Sequence, residues 1–118
     1  MGKISRDQEK REREYARNTI TKITDEICNK YGYKYNKIYI KNQKTRLGSC
    51  SSKKNLNFNW QITKFPDHIR DYVIKHEIVH LKHLNHGKLF WKETEILDPN
   101  YKEHHKWIRK NAYEYLSF

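Results

Sequence analysis

Apolar residues near the amino terminus recur every three to five positions after a strongly charged start. This spacing predicts an amphipathic helix over residues 6 to 31 that ends at Gly32. The first turns are rich in Arg and Glu, and we expect residues 1 to 12 to project partly into solvent. Because nothing in this helix suggests chemistry, we interpret it as a scaffold. Its apolar stripe consists of Tyr15, Ile20, Ile23, Ile27 and Tyr31.

Between residues 35 and 60 the hydrophobic period shortens to two, which is typical of half-buried strands. We expect a small and mainly antiparallel sheet, because short turns join neighbouring strands in that way. Gly48 in the second strand indicates a bulge or the close approach of another backbone. The predicted strands cover residues 37 to 41, 45 to 50 and 55 to 60, and a turn covers 51 to 54.

The third predicted strand alternates strictly between apolar and polar residues. Its apolar positions should face the core and its asparagines the other face, because successive side chains of a strand point to opposite sides. The apolar set is Leu56, Phe58 and Trp60, and the polar set is Asn55, Asn57 and Asn59. An extended peptide can add itself to an exposed sheet edge. We therefore expect a substrate along residues 55 to 60, with Asn57 and Asn59 as binding side chains.

Three helices are predicted after the sheet, over residues 66 to 84, 88 to 96 and 101 to 116. The first should begin at Pro66 and Asp67, since proline suits the first turn and a carboxylate there favours the helix dipole. Its apolar residues cover much of its circumference, which indicates a buried helix. In the second helix we expect four apolar residues to pack beneath the preceding turn: Leu89, Phe90, Trp91 and Ile96.

The chain has 118 residues, of which 36% are hydrophobic and 33% charged, so we expect one domain over residues 1 to 118 with a modest core. The net charge of +11 attracts polyanions and makes nucleic acid a candidate partner. Cys28 and Cys50 are interpreted as reduced thiols of a cytoplasmic protein. No run approaches the ~18 apolar residues that a membrane span needs, and no targeting segment is recognised. The oligomeric state is not predicted.

Residues 76 to 80 read His-Glu-Ile-Val-His. Two histidines four apart on a helix lie on one face, where both imidazoles can reach a single Zn²⁺. Glu77 then lies next to the metal. A zinc ion with three protein ligands keeps a water in its fourth position and lowers the pKa of that water toward ~7. The motif therefore predicts a hydrolytic zinc site with Glu77 as the general base, although a solvated histidine-rich helix would show the same pattern.

The third ligand has several candidates, and His86 is favoured. On an unbroken helix His86 would point about 120° away from the metal face. If the chain instead turns at residues 85 to 87, where Asn and Gly tolerate left-handed backbone angles, His86 can return to the metal. The helix must then stop near Asn85. The remaining candidates are Glu93 and Glu95, which would give a site of two histidines and one glutamate, and His83, which is better interpreted as a residue beside the site.

The spacing from His76 to His86 also matches the metzincin motif, but this class is rejected. His83 stands where that motif requires glycine, and the only methionine is Met1, so the later Met-turn is absent. Hydrolysis further requires a donor for the oxyanion that forms on the attacked carbonyl. Tyr101, His83 and His105 could supply it, and the residue pattern does not choose among them.

Several segments together carry a family resemblance. They are Thr45 to Lys53, Leu56 to Trp60, Pro66 to Ile74, the HExxH stretch with Asn85-His86-Gly87 and Phe90-Trp91, Pro99 to Tyr101, and Trp107-Ile108. Over about residues 36 to 110 the chain resembles the YgjP-like metallopeptidases, which are similar in their core to the SprT/Spartan zincins. The chain departs from the family pattern at Leu47, where the family usually has Trp. It also lacks the longer amino-terminal sheet region of many members, which suggests a more open cleft.

The resemblance implies a minimal zincin-like fold of the α+β class. It also implies zinc ligation by His76, His80 and His86, with Glu77 as general base, and it ranks Tyr101 first as oxyanion donor because Tyr101 aligns with a family position. The expected function is that of a zinc-dependent metallopeptidase with one Zn²⁺ per chain that acts on peptides or unfolded proteins. The alternative is a nucleic-acid-associated module whose zinc site is structural or acts on DNA-bound proteins.

Overall fold

The computed structural model describes residues 5–43 and 45–116, and it confirms an α+β fold with the predicted order of elements. The predicted domain limits at residues 1 and 118 lie outside the described residues. The elements are α1 (Arg6–Tyr31), β1 (Lys37–Lys41), β2 (Gly48–Cys50), β3 (Asn55–Asn59), a 3-10 helix (Trp60–Lys64), α2 (Asp67–Val79), α3 (Lys88–Leu97) and α4 (Tyr101–Tyr115).

Helix α1 has the predicted limits, and both of its ends are capped. The Ser5 side chain accepts a hydrogen bond from the Gln8 backbone N–H at 3.1 Å. Gly32 ends the helix in the left-handed conformation, with φ 76°, which glycine adopts without a steric penalty. The stripe prediction was wrong at Tyr15, which is 59% exposed, while Ala16 is fully buried in its place. The first turns of α1 are mostly exposed, as expected.

The sheet is mixed, so the prediction of a mainly antiparallel sheet was wrong. The strand order is β1-β3-β2, in which β1 pairs with β3 in parallel and β2 pairs with β3 in antiparallel register. The hydrophobic alternation determines which side chains point inward, but it does not determine which strands become neighbours. As a result β3 is the central strand and β2 lies at an edge. Strand β2 is also shorter than the predicted segment of residues 45 to 50.

Helix α2 is the central element of the fold. It packs against α1, α3, α4 and β2. The predicted inward residues of β3, Leu56 and Phe58, are fully buried in the same core cluster as Ile74 and Ile78 of α2. This confirms that α2 is buried on much of its circumference. Its polar residues therefore lie beside the hydrophobic core.

Helix α2 ends at Val79, with His80 as its C-cap, five residues before the predicted end. The backbone N–H groups of Leu81 and Lys82 donate to carbonyls three residues earlier, at 2.9 and 3.0 Å, which tightens the chain into a turn. The predicted break of the helix before Gly87 is confirmed, but the expected left-handed angles were wrong, because neither Asn85 nor Gly87 has a positive φ. The chain leaves the helix axis at residues 80 to 83 instead.

Helices α3 and α4 complete the fold. The buried stripe of α3 consists of Phe90, Thr94 and Leu97. Leu89 and Ile96 were expected to pack beneath the preceding turn, but they are 65% and 62% exposed, because the helical period places them on the outer face. None of the helices in the described part of the chain is long and apolar enough to cross a membrane.

Candidate metal centre

Three imidazoles meet where α2 ends and the chain returns toward α3. His76 lies in the last turn of α2, His80 caps the helix, and His86 lies in the loop that leads to α3. One ring nitrogen from each histidine lies within 4.8 Å of the other two. The Nε2 atoms of His76 and His86 are 3.3 Å apart. In the part of the chain that the structure describes, this is the only cluster of metal-ligating side chains of this kind.

The surroundings of His76 and His80 favour neutral imidazoles, which is the form that binds a divalent cation. The Nδ1 atom of His80 lies 3.0 Å from the backbone oxygen of His83. With its proton on Nδ1, His80 donates to that carbonyl and keeps the Nε2 lone pair for a metal, a common arrangement in metal sites. Burial, followed by the neighbouring His80, His86 and His105, lowers the pKa of His76 to about 3. Three neutral imidazoles fit Zn²⁺ and leave a fourth position for water.

The Phe90 ring packs against all three histidine rings of the cluster. Its ring centroid lies 5.0 Å from His76, 4.5 Å from His80 and 4.8 Å from His86, and the side chain is fully buried. Trp91 stacks on His86 with the ring centroids 5.8 Å apart. The aromatic pair at the start of α3 therefore fixes the rings of the cluster by packing, as expected for these two residues.

Glu77 lies in a cavity beside the cluster. The side chain is only 7% exposed, and burial raises its pKa to about 8, while the nearby Arg46 acts in the opposite direction. The cavity has a volume of about 200 Å³ and also exposes His76, Tyr72 and His105 on its walls. A carboxylate with a raised pKa beside a prospective metal position is suited to accept a proton from water.

Gly48 of β2 forms another part of this wall. A Cβ atom at this position would lie 3.0 Å from both the Asn57 carbonyl oxygen and Glu77 Cγ, and 3.3 Å from Glu77 Oε2. The glycine is therefore needed for the close approach of two elements, which confirms the expectation drawn from the sequence. It also places the edge strand directly beside Glu77.

The other candidate ligands have different partners. The Tyr33 hydroxyl donates to Glu93 at 2.7 Å, and Glu93 lies 3.8 Å from the His83 ring. His83 contributes its backbone oxygen to His80 and has no place in the three-histidine cluster. Glu95 is exposed and lines a groove next to His86, but it also lies outside the cluster. The geometry therefore favours His86 over all three alternatives.

The two asparagines expected to bind substrate lie on the central strand. Because β3 is paired on both sides, a substrate strand cannot add to it, so the expected edge at residues 55 to 60 was wrong. Asn59 is fully buried, and its amide donates to the backbone oxygens of Gln43 and Arg46 at 2.7 and 3.2 Å and accepts from the Gln61 N–H. Asn57 is half-buried. The free edge beside Glu77 belongs to β2.

The structure separates the candidate oxyanion donors. Tyr101 stacks on Trp91 at 5.4 Å and shares a groove with His86, whereas His105 lines the cavity that contains His76 and Glu77. The Tyr72 hydroxyl is 3.4 Å from His105 Nδ1. The sequence interpretation missed Tyr72, although its position four residues before His76 places both side chains on one helix face.

A histidine pair on a helix, an imidazole that returns from the next loop and a buried glutamate beside them are the features of zinc metallopeptidases, and the chain is of this class. Within the class it belongs to the YgjP-like metallopeptidase domain family, whose family profile matches residues 3–111. The resemblance inferred from the sequence is thereby confirmed. No protein with a curated description matches the chain.

Two solved structures have similar folds. The metallopeptidase zymogen abylysin of Pyrococcus abyssi has a TM-score of 0.68 and 20% sequence identity, over 79% of this chain and 95% of that one. The metallopeptidase zymogen jannalysin of Methanocaldococcus jannaschii has a TM-score of 0.66 and 29% identity, over 79% of this chain and 96% of that one. These structures confirm the α+β metallopeptidase fold.

Proposed function

We propose that this chain hydrolyses peptide bonds with one Zn²⁺ held by His76, His80 and His86 and with Glu77 as the general base. The observation that carries the proposal is the meeting of three imidazole nitrogens within 4.8 Å of one another beside a buried carboxylate. Membership of a metallopeptidase family supports the reaction class. Because the ring nitrogens converge, no rearrangement of the backbone is needed for all three to bind one ion.

A zinc ion in this position would supply Lewis-acid chemistry, which polarises the peptide carbonyl and acidifies water. Glu77 accepts a proton from the attacking water and later passes it to the leaving amine. Burial raises the pKa of Glu77 in the metal-free protein, and a cation held by the neighbouring histidines would lower it again and favour the ionised carboxylate that accepts the proton. Because Gly48 has no Cβ atom, the Glu77 side chain can extend past β2 without a close contact.

His105 is the better candidate for the oxyanion donor, in place of Tyr101. It lines the same cavity as Glu77, and its Nδ1 atom lies 3.4 Å from the Tyr72 hydroxyl. Burial raises the pKa of Tyr72 to about 12, so this hydroxyl keeps its proton and can donate it to Nδ1. His105 then carries a proton on Nε2, which is available to a developing oxyanion.

The substrate would lie along β2 in an extended conformation. Among the described residues no strand pairs with the outer side of β2, and Gly48 of this strand lies against Glu77. Main-chain hydrogen bonds to an edge strand would position a peptide with little dependence on its side chains. Peptides and unfolded proteins therefore fit the site better than compact folded domains.

Metal analysis of the purified protein tests the ligand set. Wild type should hold about one zinc per chain, and His86→Ala should lose most of it. His68→Ala is the matched control, since it removes an exposed imidazole of α2 that lies outside the cluster. If zinc stays in His86→Ala and is lost in Glu93→Ala or Glu95→Ala, the proposed third ligand is wrong.

Proteolysis of an unfolded protein tests the reaction. Glu77→Gln should keep zinc and lose activity, because the amide has the shape of the carboxylate but cannot accept the proton. Glu14→Gln makes the same change at an exposed position of α1 and should leave activity unchanged. Wild-type activity in zinc-loaded Glu77→Gln would contradict the assignment of the general base.

The nucleic-acid alternative rests on the net charge of +11 and on the resemblance to the SprT/Spartan zincins. Neither the family nor the similar structures support it. The cytoplasmic location likewise stays a prediction from the sequence. Binding to DNA across a range of salt concentrations would test the alternative, since phosphate contacts give a steep dependence on salt.

A further inference from the structure

A basic groove with a volume of about 810 Å³ lies beside the metal centre. Its cations all come from one face of α4. Trp91, Tyr101 and His105 form the rest of its lining, and its four cationic residues are Lys102, Lys106, Arg109 and Lys110. Of the described residues that line this groove, none is acidic. We name this feature the α4 groove.

In the described part of the chain, no carboxylate forms an ion pair with any of the four cations of the α4 groove. Lys102, Lys106 and Lys110 follow one another at a spacing of four, and like charges at that spacing repel each other along a helix face. A negatively charged ligand in the groove would relieve this repulsion.

The α4 groove is continuous with the proposed active site. His105 lines both the groove and the cavity that contains Glu77. On the other side, Trp91 lines the groove and stacks on the imidazole of His86. A chain bound at the metal centre therefore has part of its length beside the α4 cations. The cations from Lys102 to Lys110 span about 12 Å along the helix axis, which is the length of roughly three or four extended residues.

We propose that the α4 groove binds acidic side chains of the substrate, so that the enzyme prefers peptides with Asp or Glu a few residues from the cleaved bond. This inference rests on the proposed peptidase function and adds a substrate class to it. The aromatic walls accommodate the apolar stems of Glu and of neighbouring residues, while Lys106 and Arg109 contact the carboxylates. A peptide is favoured over a nucleic acid because the groove opens into a cavity built for the cleavage of peptide bonds.

Two fluorogenic peptides with the same central sequence test the proposal. One carries glutamates on both flanks and the other carries glutamines, which have the same shape without the charge. The zinc-loaded wild type should cleave the acidic peptide with a kcat/KM about five- to tenfold higher, as expected from one or two solvent-facing charge contacts. This preference should decline as the salt concentration rises.

The double variant Lys106→Gln/Arg109→Gln should lose the preference and keep the kcat/KM for the glutamine peptide within about twofold. The matched control Arg17→Gln/Lys22→Gln removes the same charge from the exposed face of α1 and should keep the preference. Equal cleavage of both peptides by wild type would overturn the proposal. The same loss of preference in both double variants would also overturn the proposal, because it would indicate an effect of net charge only.

Binding to the inactive Glu77→Gln protein separates this proposal from the proposed function. Fluorescence anisotropy should show tighter binding of the acidic peptide, and Lys106→Gln/Arg109→Gln should remove the difference. If wild type cleaves neither peptide but this binding pattern holds, the peptidase function fails and the groove assignment stands. If a single-stranded oligonucleotide depends on Lys106 and Arg109 while peptides show no acidic preference, the groove is a nucleic-acid site and the proposal is wrong.

Discussion

Gly48 and Glu77 approach each other so closely that a Cβ atom at position 48 would lie 3.0 Å from Glu77 Cγ. The second atom at this distance belongs to the backbone of Asn57, which cannot yield as a flexible side chain can. A larger residue at position 48 must therefore displace either the edge strand or the glutamate. One contact thus positions both the carboxylate proposed as general base and the strand along which we propose that the substrate lies.

We expect Gly48→Ala to lower kcat by about tenfold or more, because a 1 Å displacement of a reacting group can cost up to ~10²-fold in rate. Zinc content should stay unchanged, since the three imidazoles are not touched. The control is Gly87→Ala, where an added Cβ meets nothing within 4 Å and φ is not left-handed. Steady-state kinetics and metal analysis give both readouts. An unchanged kcat in Gly48→Ala would show that the contact does not position Glu77.

Replacement of His105 should separate the two candidate oxyanion donors. His105→Ala should lower kcat by about 10²-fold or more with little change in KM, the magnitude expected for the loss of one oxyanion donor. Tyr101→Phe should stay within about threefold of wild type, because Tyr101 does not line the cavity of Glu77. Both variants should retain zinc. The reverse order of effects would assign the donor role to Tyr101.

Glu93 should influence the metal indirectly. It accepts a hydrogen bond from Tyr33 at 2.7 Å and lies 3.8 Å from the ring of His83, whose backbone oxygen orients His80. Glu93→Gln should weaken zinc binding by about tenfold, which is typical when a residue that supports a ligand is changed. Titration with a competing chelator measures this effect. Complete loss of zinc from Glu93→Gln would instead indicate that Glu93 is a direct ligand. The control is Glu95→Gln, an exposed position, which should leave zinc binding unchanged.

Asn59 should contribute to stability and not to substrate binding. Its buried amide connects the backbones of Gln43 and Arg46 with the start of the 3-10 helix. Asn59→Ala should lower the free energy of unfolding by about 2 to 4 kcal/mol, because several buried partners lose their hydrogen bonds. Asn57→Ala, at a half-buried position, should cost less. Denaturant unfolding measures both values. If Asn59→Ala instead raises KM and leaves stability unchanged, Asn59 is a substrate-binding residue.

The sequence alone determined the features that depend on local spacing. The helix over residues 6 to 31 and its stop at Gly32 follow from a hydrophobic period and a residue that tolerates left-handed angles. The placement of His76 and His80 on one helix face and the inward direction of Leu56 and Phe58 follow in the same way. The family resemblance likewise rested on short motifs between about residues 36 and 110, which can be recognised without the tertiary structure.

Tertiary structure decided what depends on partners that are distant in the sequence. The parallel pairing of β1 with β3 makes β3 central and leaves β2 as the edge beside Glu77, which alternation along one strand cannot reveal. The early end of α2 at Val79 and the position of His105 on the cavity wall likewise depend on packing between elements. Local patterns limit the conformation of each segment, whereas the choice of neighbours depends on how all the buried surfaces fit together.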